Sequence, residues 1–179
     1  MKKIKDVIGW KVEWEINKFN DSTDEIAKML QAGAKMEHVI RQFPEAFIGK
    51  EIMKDNVALN VGLQYLIDCI CGIGTTTKWD NTNARLGVGS DATAADPSQT
   101  DLIDATPTWK AMDATYPQRA TQIAEWRSTF GSADANEAWN EYAVDNGATA
   151  HKLLNRKVEA KGTKVSGETW TLSLKITFS

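Results

Sequence analysis

Trp170-Thr171-Leu172-Ser173-Leu174-Lys175-Ile176-Thr177-Phe178 is the stretch that decides the fold. Trp170, Leu172, Leu174, Ile176 and Phe178 alternate with Thr171, Ser173, Lys175 and Thr177. A repeat of two residues puts every large apolar side chain on one side of an extended chain, so the segment reads as a strand with that side in a core. Working back from it, Ser166-Gly167 reads as a turn, Lys152 to Val158 as a strand, and Asp145-Asn146-Gly147 as a hairpin turn. Trp139 to Val144, Ala124 to Phe130, Trp109 to Met112 and Arg85 to Val88 are further short strands. Tyr116-Pro117 is a turn, and residues 89–106 form a long polar surface loop. Sequential short strands joined by turns predict an antiparallel β-sandwich or small barrel.

The first 74 residues follow a different pattern. Trp10, Val12, Trp14 and Ile16 alternate with Lys11, Glu13, Glu15 and Asn17, which predicts another half-buried strand. No hairpin partner follows it, so it must pair with a distant strand of its own sheet or serve as an arm on another chain. Ser22 with Glu25 three residues on reads as a capping box for a helix carrying Ile26, Met29 and Leu30, stopped at Gly33. A second short helix spans Met36 to Gln42 and must end before Pro44, and residues 44–55 show no clear period. From Asp55, Leu59, Leu63, Leu66, Ile67 and Ile70 mark one face of the strongest helix, with Gly72 placed to end it. Because Val57, Val61, Tyr65 and Cys69 flank that face, the helix is expected to be buried. The fold class is therefore α+β, mainly β, with two or three N-terminal helices. Residues 1–74 carry the strand and helices, residues 75–179 the sandwich, and both are expected in one compact unit.

A 179-residue chain with 42% hydrophobic and 25% charged residues has the composition of a globular protein able to bury its own core. A net charge of −3 argues against bulk nucleic-acid binding, and no apolar run reaches the ~18 residues of a membrane span. The N-terminus has no signal-peptide apolar region, so a cytoplasmic site of synthesis and assembly is expected. Cys69 and Cys71, two residues apart in a helical run, form no natural disulfide or chelate.

Candidates for chemistry are few. His38 and His151 have no ligand partner at metal-site spacing. Gly72-Ile73-Gly74-Thr75-Thr76-Thr77-Lys78 lacks the spacing of a phosphate loop and follows a helix instead of a strand. Asp91, Asp96, Asp101 and Asp104 lie in the long loop without the spacing of a calcium loop; Glu137 and Glu141 flank Trp139 without marking a catalytic pair, and Asn140 and Glu141 read as polar strand residues that anchor a turn or a subunit contact. No catalytic residue, cofactor or metal is assigned. Seven tryptophans are many for one small core, and interfaces enrich tryptophan; Trp10, Trp14, Trp79, Trp109 and Trp139 are the interface candidates.

Several segments carry a resemblance: Trp79-Asp80-Asn81-Thr82-Asn83-Ala84-Arg85-Leu86-Gly87-Val88-Gly89, Ala92-Thr93-Ala94-Ala95-Asp96-Pro97-Ser98-Gln99-Thr100-Asp101-Leu102, Lys110-Ala111-Met112-Asp113 and Phe130-Gly131-Ser132-Ala133-Asp134-Ala135-Asn136. Trp139-Asn140-Glu141-Tyr142, Leu154-Asn155-Arg156-Lys157 and Trp170-Thr171-Leu172 continue it. Together they resemble small virion structural proteins of tailed phages, over roughly the C-terminal two-thirds of the chain. The resemblance implies a non-enzymatic component of the particle, assembled in a bacterial host's cytoplasm. A capsid decoration or cement protein is the leading expectation; a tail, baseplate or fibre-associated adaptor is the alternative. Its expected partners are other virion proteins and further copies of itself, as a symmetric homo-oligomer with a trimer favoured, with no nucleic acid and no membrane.

Overall fold

The computed structural model describes residues 9–147 and 149–178. Ten strands and three helices follow in the order β1 (Trp10–Asn20), α1 (Glu25–Gln31), α2 (Met36–Gln42), β2 (Phe47–Lys54), β3 (Val57–Ala58) and α3 (Asn60–Cys71). Then come β4 (Arg85–Gly89), β5 (Thr108–Ala111), β6 (Gln118–Ala120), β7 (Ile123–Phe130), β8 (Glu141–Asp145), β9 (Asn155–Val158) and β10 (Glu168–Phe178). They form two antiparallel five-stranded sheets, ordered β2-β1-β10-β7-β6 and β3-β9-β8-β4-β5. The fold is α+β, mainly β, and consistent with a sandwich; it does not close into a barrel.

β10 forms as expected, though Phe178 at its end is exposed and Thr171 and Ser173 on its other face are buried too. Trp170, Leu172, Leu174 and Ile176 are buried and face Leu86, Val88, Tyr142 and Val144 of the other sheet. Tryptophan fills the space between the sheets. Trp139 meets Phe130 and Trp170 edge-on, each at 4.9 Å between ring centres, and Trp14 lies 6.1 Å from Tyr142. Such tilted pairings add to the gain from area burial alone. Trp14 and Trp139 are completely buried and Trp79 nearly so, which corrects their reading as interface residues: sheets packed about 10 Å apart need large side chains between them.

β1 is not an arm. It pairs with β10 from Trp10↔Phe178 to Asn20↔Glu168 and with β2 on its other edge, so both of its edges are occupied at home. The sheet thus joins strands from both sides of residue 74. On its outer face Phe19, Ile26, Leu30 and Val39 form a second cluster under α1 and α2. Arg127 reaches from β7 to this layer: Nη1 and Nη2 donate to the carbonyls of Ala34 and Leu30, and Nε donates to Asp113 at 2.7 Å. A guanidinium beside the Leu30 carbonyl, in the last turn of α1, complements the helix dipole.

The capping box expected at Ser22 and Glu25 does not form. Asp24 adopts a left-handed conformation with no side-chain cap, and the Asp21 carboxylate instead accepts the Ala27 N–H at 2.9 Å and the Thr169 hydroxyl at 2.8 Å. Asp24 turns to Ser132, accepting its N–H and hydroxyl. The expected tight hairpin at Asp145-Asn146-Gly147 is also replaced. β8 and β9 are antiparallel neighbours joined by the longer segment 146–154, and Asn146 is buried, donating to the Thr77 carbonyl and accepting the Lys152 N–H.

Lys164 is buried, as are Arg127 and Arg156: its ammonium donates to the Gly131 carbonyl at 2.7 Å and to Asn136 Oδ1 at 2.9 Å. Burial pulls its pKa down to about 8 from an ordinary 10.5, against the opposing charges of Asp134, Glu168 and Asp24. Between those two values the unfolded chain binds more protons than the folded one, so this residue's contribution to stability rises with pH. The contribution is complete above the unfolded value and lost as pH falls through the folded one. Melting profiles of the wild type and Lys164→Met across that window should therefore diverge, with the wild type gaining on the variant as pH rises. Parallel profiles would show that Lys164 titrates normally.

Candidate interaction surface

α3 presents the surface with the least cover. Its inward side is fixed by Gly62, where a Cβ would come within 2.3 Å of the Leu153 carbonyl oxygen, so only glycine lets the helix lie this close to residues 153–154. With Gly62 inward, Tyr65, Leu66 and Cys69 pack on the main core; the Tyr65 ring meets Trp79 edge-on at 5.7 Å, and its hydroxyl accepts the Thr77 N–H. Val61 packs on the cluster of Leu59 and Leu153, and the remaining apolar side chains point outward. Leu63 is 37%, Ile67 55%, Ile70 77% and, just past the end, Ile73 58% exposed. The expectation of a buried helix is thereby corrected. Sequence spacing put Leu59, Leu63, Leu66, Ile67 and Ile70 on one face; in the structure Leu59 is buried before the first turn, Leu66 packs inward and the other three form an outer ridge. The helix also begins at Asn60 instead of Asp55, because Val57 and Ala58 pair with Arg156 and Asn155 as β3. Asp68 is the one charged residue in α3, and it is not fully exposed; the ridge is flanked by Asn60, Gln64 and Cys71.

A second uncovered apolar surface lies on the other sheet. Among the described residues β2 pairs only with β1, leaving an open sheet edge. Ile48 and Ile52 are both about half exposed there and alternate with the exposed Lys50 and Lys54. Lysines on an edge strand deter indiscriminate pairing, while the isoleucines between them supply apolar contact.

The polar cleft richest in titratable groups, about 310 Å³, opens on the outer face of the first sheet beside α2. Glu15, Glu125 and Lys175 line it. Burial pushes the Glu15 carboxyl up, but hydrogen bonds from Lys50 and Asn17 and the charge of Lys175 outweigh it and hold Glu15 below the usual range. Burial wins at Glu125, which is raised despite Lys175. Lys175 stands 3.9 Å from Glu15 and 3.8 Å from Glu125, so the cleft's carboxylates share an ammonium within the sheet itself. Two carboxylates shifted in opposite directions resemble the acid and base of a hydrolase. Here Glu15 is also held by Lys50 at 2.6 Å, which fits a cross-strand charge ladder.

The remaining sequence candidates are scattered. Trp10 and Trp109 are half-buried and sit on different sheets: Trp10 meets Phe178 at 6.1 Å, and Trp109 covers Gly87, beside Arg85 and His151. They do not form one patch. His151 lies 2.9 Å from Asp101 and 3.5 Å from the buried Asp145, which also pairs with Arg85. Asp91, Asp96 and Asp104 accept backbone N–H groups within their own loop. Among the described residues no group of three or more His, Cys, Asp or Glu is placed to hold a metal, and no helix is long and apolar enough to cross a membrane. Cys69 and Cys71 are free thiols.

No family model, curated protein or solved structure matches the chain. The ridge on α3 and the edge at β2 are the features that sequence reading missed. Ile67 and Ile70 carried the only available signal, an apolar set too wide for one buried face.

Proposed function

We propose that this chain is a non-enzymatic structural component of a tailed-phage virion, acting as a capsid decoration protein that stabilises the shell. One observation carries the reading: a small fold that buries its core well leaves two separate apolar surfaces uncovered, the α3 ridge and the β2 edge. Exposed apolar patches of this kind mark contact with other proteins. Two of them suit a cement protein, which must touch both its own copies and the shell beneath. The segments from Trp79 to Leu172 that resemble phage virion proteins supply the particle. In this reading the β2 edge, with its apolar side chains and an open row of backbone groups, is the side offered to a capsid subunit.

Quantitative mass spectrometry on purified particles of the encoding phage tests the proposal. A decoration protein is expected on the order of hundreds of copies per particle, as closed shell symmetry requires. A count in the tens would move the protein to the tail, baseplate or fibre, and complete absence from particles would overturn the virion reading.

A further inference from the structure

We propose that the polar cleft on the outer face of the first sheet, beside α2, binds one neutral sugar ring through its hydroxyl groups. The proposal goes beyond the virion reading and does not depend on it.

The floor of the cleft separates it from an ordinary charged surface. Glu15, Asn17, Arg127 and Ser173 line it, and all four are buried. They stand on β1, β7 and β10, three neighbouring strands of one sheet, so the strand ladder fixes the floor. Its charged members already have internal partners: Lys50 and Asn17 Nδ2 for Glu15, and Asp113 for Arg127. Asn17 Oδ1 has none. A buried acceptor left without a donor is costly, and the cross-strand charge ladder answers Glu15 and Lys175 but not Asn17. The missing partner must be a hydrogen-bond donor. A single water is the competing occupant, bridging Asn17 to Thr171, which lies opposite it on β10 and whose hydroxyl also lacks a partner.

Charge and size then select the chemistry of the donor. In the lining, the carboxylates of Glu15, Glu37 and Glu125 are balanced by the cations of Lys35, Arg127 and Lys175. A balanced lining concentrates neither anions nor cations, which points to a neutral ligand. The lining also mixes groups that only donate, such as the lysine ammoniums, with groups that only accept, such as ionised carboxylates and Asn17 Oδ1. A hydroxyl does both. Adjacent hydroxyls of one ring can therefore answer an ammonium and a carboxylate that stand together, as Lys175 and Glu125 do at 3.8 Å. A volume of about 310 Å³ lies at the small end of ligand clefts, roughly 300–1,000 Å³, and suits a single ring. Met36 and Tyr116 add apolar surface for the C–H groups of such a ring.

The test is an NMR titration of the isotope-labelled full chain with D-glucose, D-galactose and N-acetyl-D-glucosamine. Each is taken to about 50 mM, because ligands of this size bind in the millimolar range. At least one of the three is expected to give saturable shifts centred on the amides of residues 15–17, 125–127 and 173–175. In mildly acidic buffer glucosamine, a cation, and glucuronate, an anion, should bind more weakly than that sugar. Glu125→Ala and Asn17→Leu should each weaken binding by about tenfold, the effect of one lost hydrogen bond to the ligand. Glu125 is partly exposed, so its variant decides the matter if Asn17→Leu does not fold. Equal shifts from the methyl glycoside identify the ligand as the end of a glycan chain, and their loss identifies a free sugar. No saturable shift with any of the three sugars overturns the proposal and leaves water as the partner of Asn17. Binding that Glu125→Ala leaves unchanged, or that glucosamine or glucuronate matches, overturns it as well.

Discussion

Deletion of residues 1 to 20 should leave no folded protein. β1 is an interior strand, hydrogen-bonded to β10 along its whole length and to β2 on its far edge. Its removal strips β2 of its only partner among the described residues and opens β10, the strand that carries Leu172, Leu174 and Ile176 into the core. It also removes Trp14, Ile16 and Phe19, all completely buried. Losing a buried tryptophan or phenylalanine costs about 3–5 kcal/mol by truncation to alanine alone, and the whole net stability of a domain is about 5–15 kcal/mol. Far-UV circular dichroism and a thermal melt of the deleted chain decide the matter. A soluble product with a cooperative melt would mean that residues 21–179 fold without β1 and that β1 is an accessory. The arrangement assigns any docking role to surfaces other than β1, since a strand with both edges paired cannot be donated without dismantling its sheet.

The parts of the fold that could be read from the chain are those where apolar side chains take one face of an element and mostly polar ones the other. β1, β7 and β10 alternate cleanly, and α2 lies where its spacing and Pro44 placed it. β2 escaped because its alternation is inverted for an edge: Ile48 and Ile52 point out, so Phe47-Ile48-Gly49-Lys50-Glu51-Ile52-Met53-Lys54 shows no apolar period. α3 was recognised as a helix, but its exposed side was not, because an apolar set covering most of a helix does not say which side turns inward. That choice falls to Gly62, whose missing side chain is informative only once Leu153 lies against it. Tryptophan misled in the opposite direction. Its frequency suggested interfaces, yet Trp14, Trp139 and Trp170 fill the gap between two sheets, a demand visible only after the sheets are stacked. Asp21 displaced the expected Ser22 cap for a similar reason: Thr169, which shares its carboxylate, is distant in the chain.

Arg156→Met should destabilise the protein by about 3–5 kcal/mol, the cost of leaving one member of a buried ion pair alone. Glu141 and Arg156 are neighbours on β8 and β9, and both are completely buried. Arg156 Nε donates to Glu141 Oε2 at 2.7 Å, and its Nη1 donates to the Thr93 carbonyl and to Gln99 Oε1, each at 3.0 Å. Glu141 in turn accepts the N–H groups of Ile103 and Asp104. One ion pair therefore holds both limbs of the loop between β4 and β5, and Gly89 is glycine where a Cβ would meet Glu141 Oε1 at 2.6 Å. The loop that composition alone described as polar and solvated is pinned to the sheet, with Leu102 buried beneath it. Urea unfolding should show the loss in stability, and limited proteolysis should show new cleavage within residues 90–107. Glu141→Leu/Arg156→Met should recover much of the stability, because replacing both charges removes the orphaned carboxylate. It should not restore protease resistance, since apolar side chains cannot bond the carbonyl of Thr93 or the N–H groups of Ile103 and Asp104. A single variant within about 1 kcal/mol of wild type, with the loop still resistant, would show that Leu102 and the β4–β5 ladder hold the loop without the ion pair.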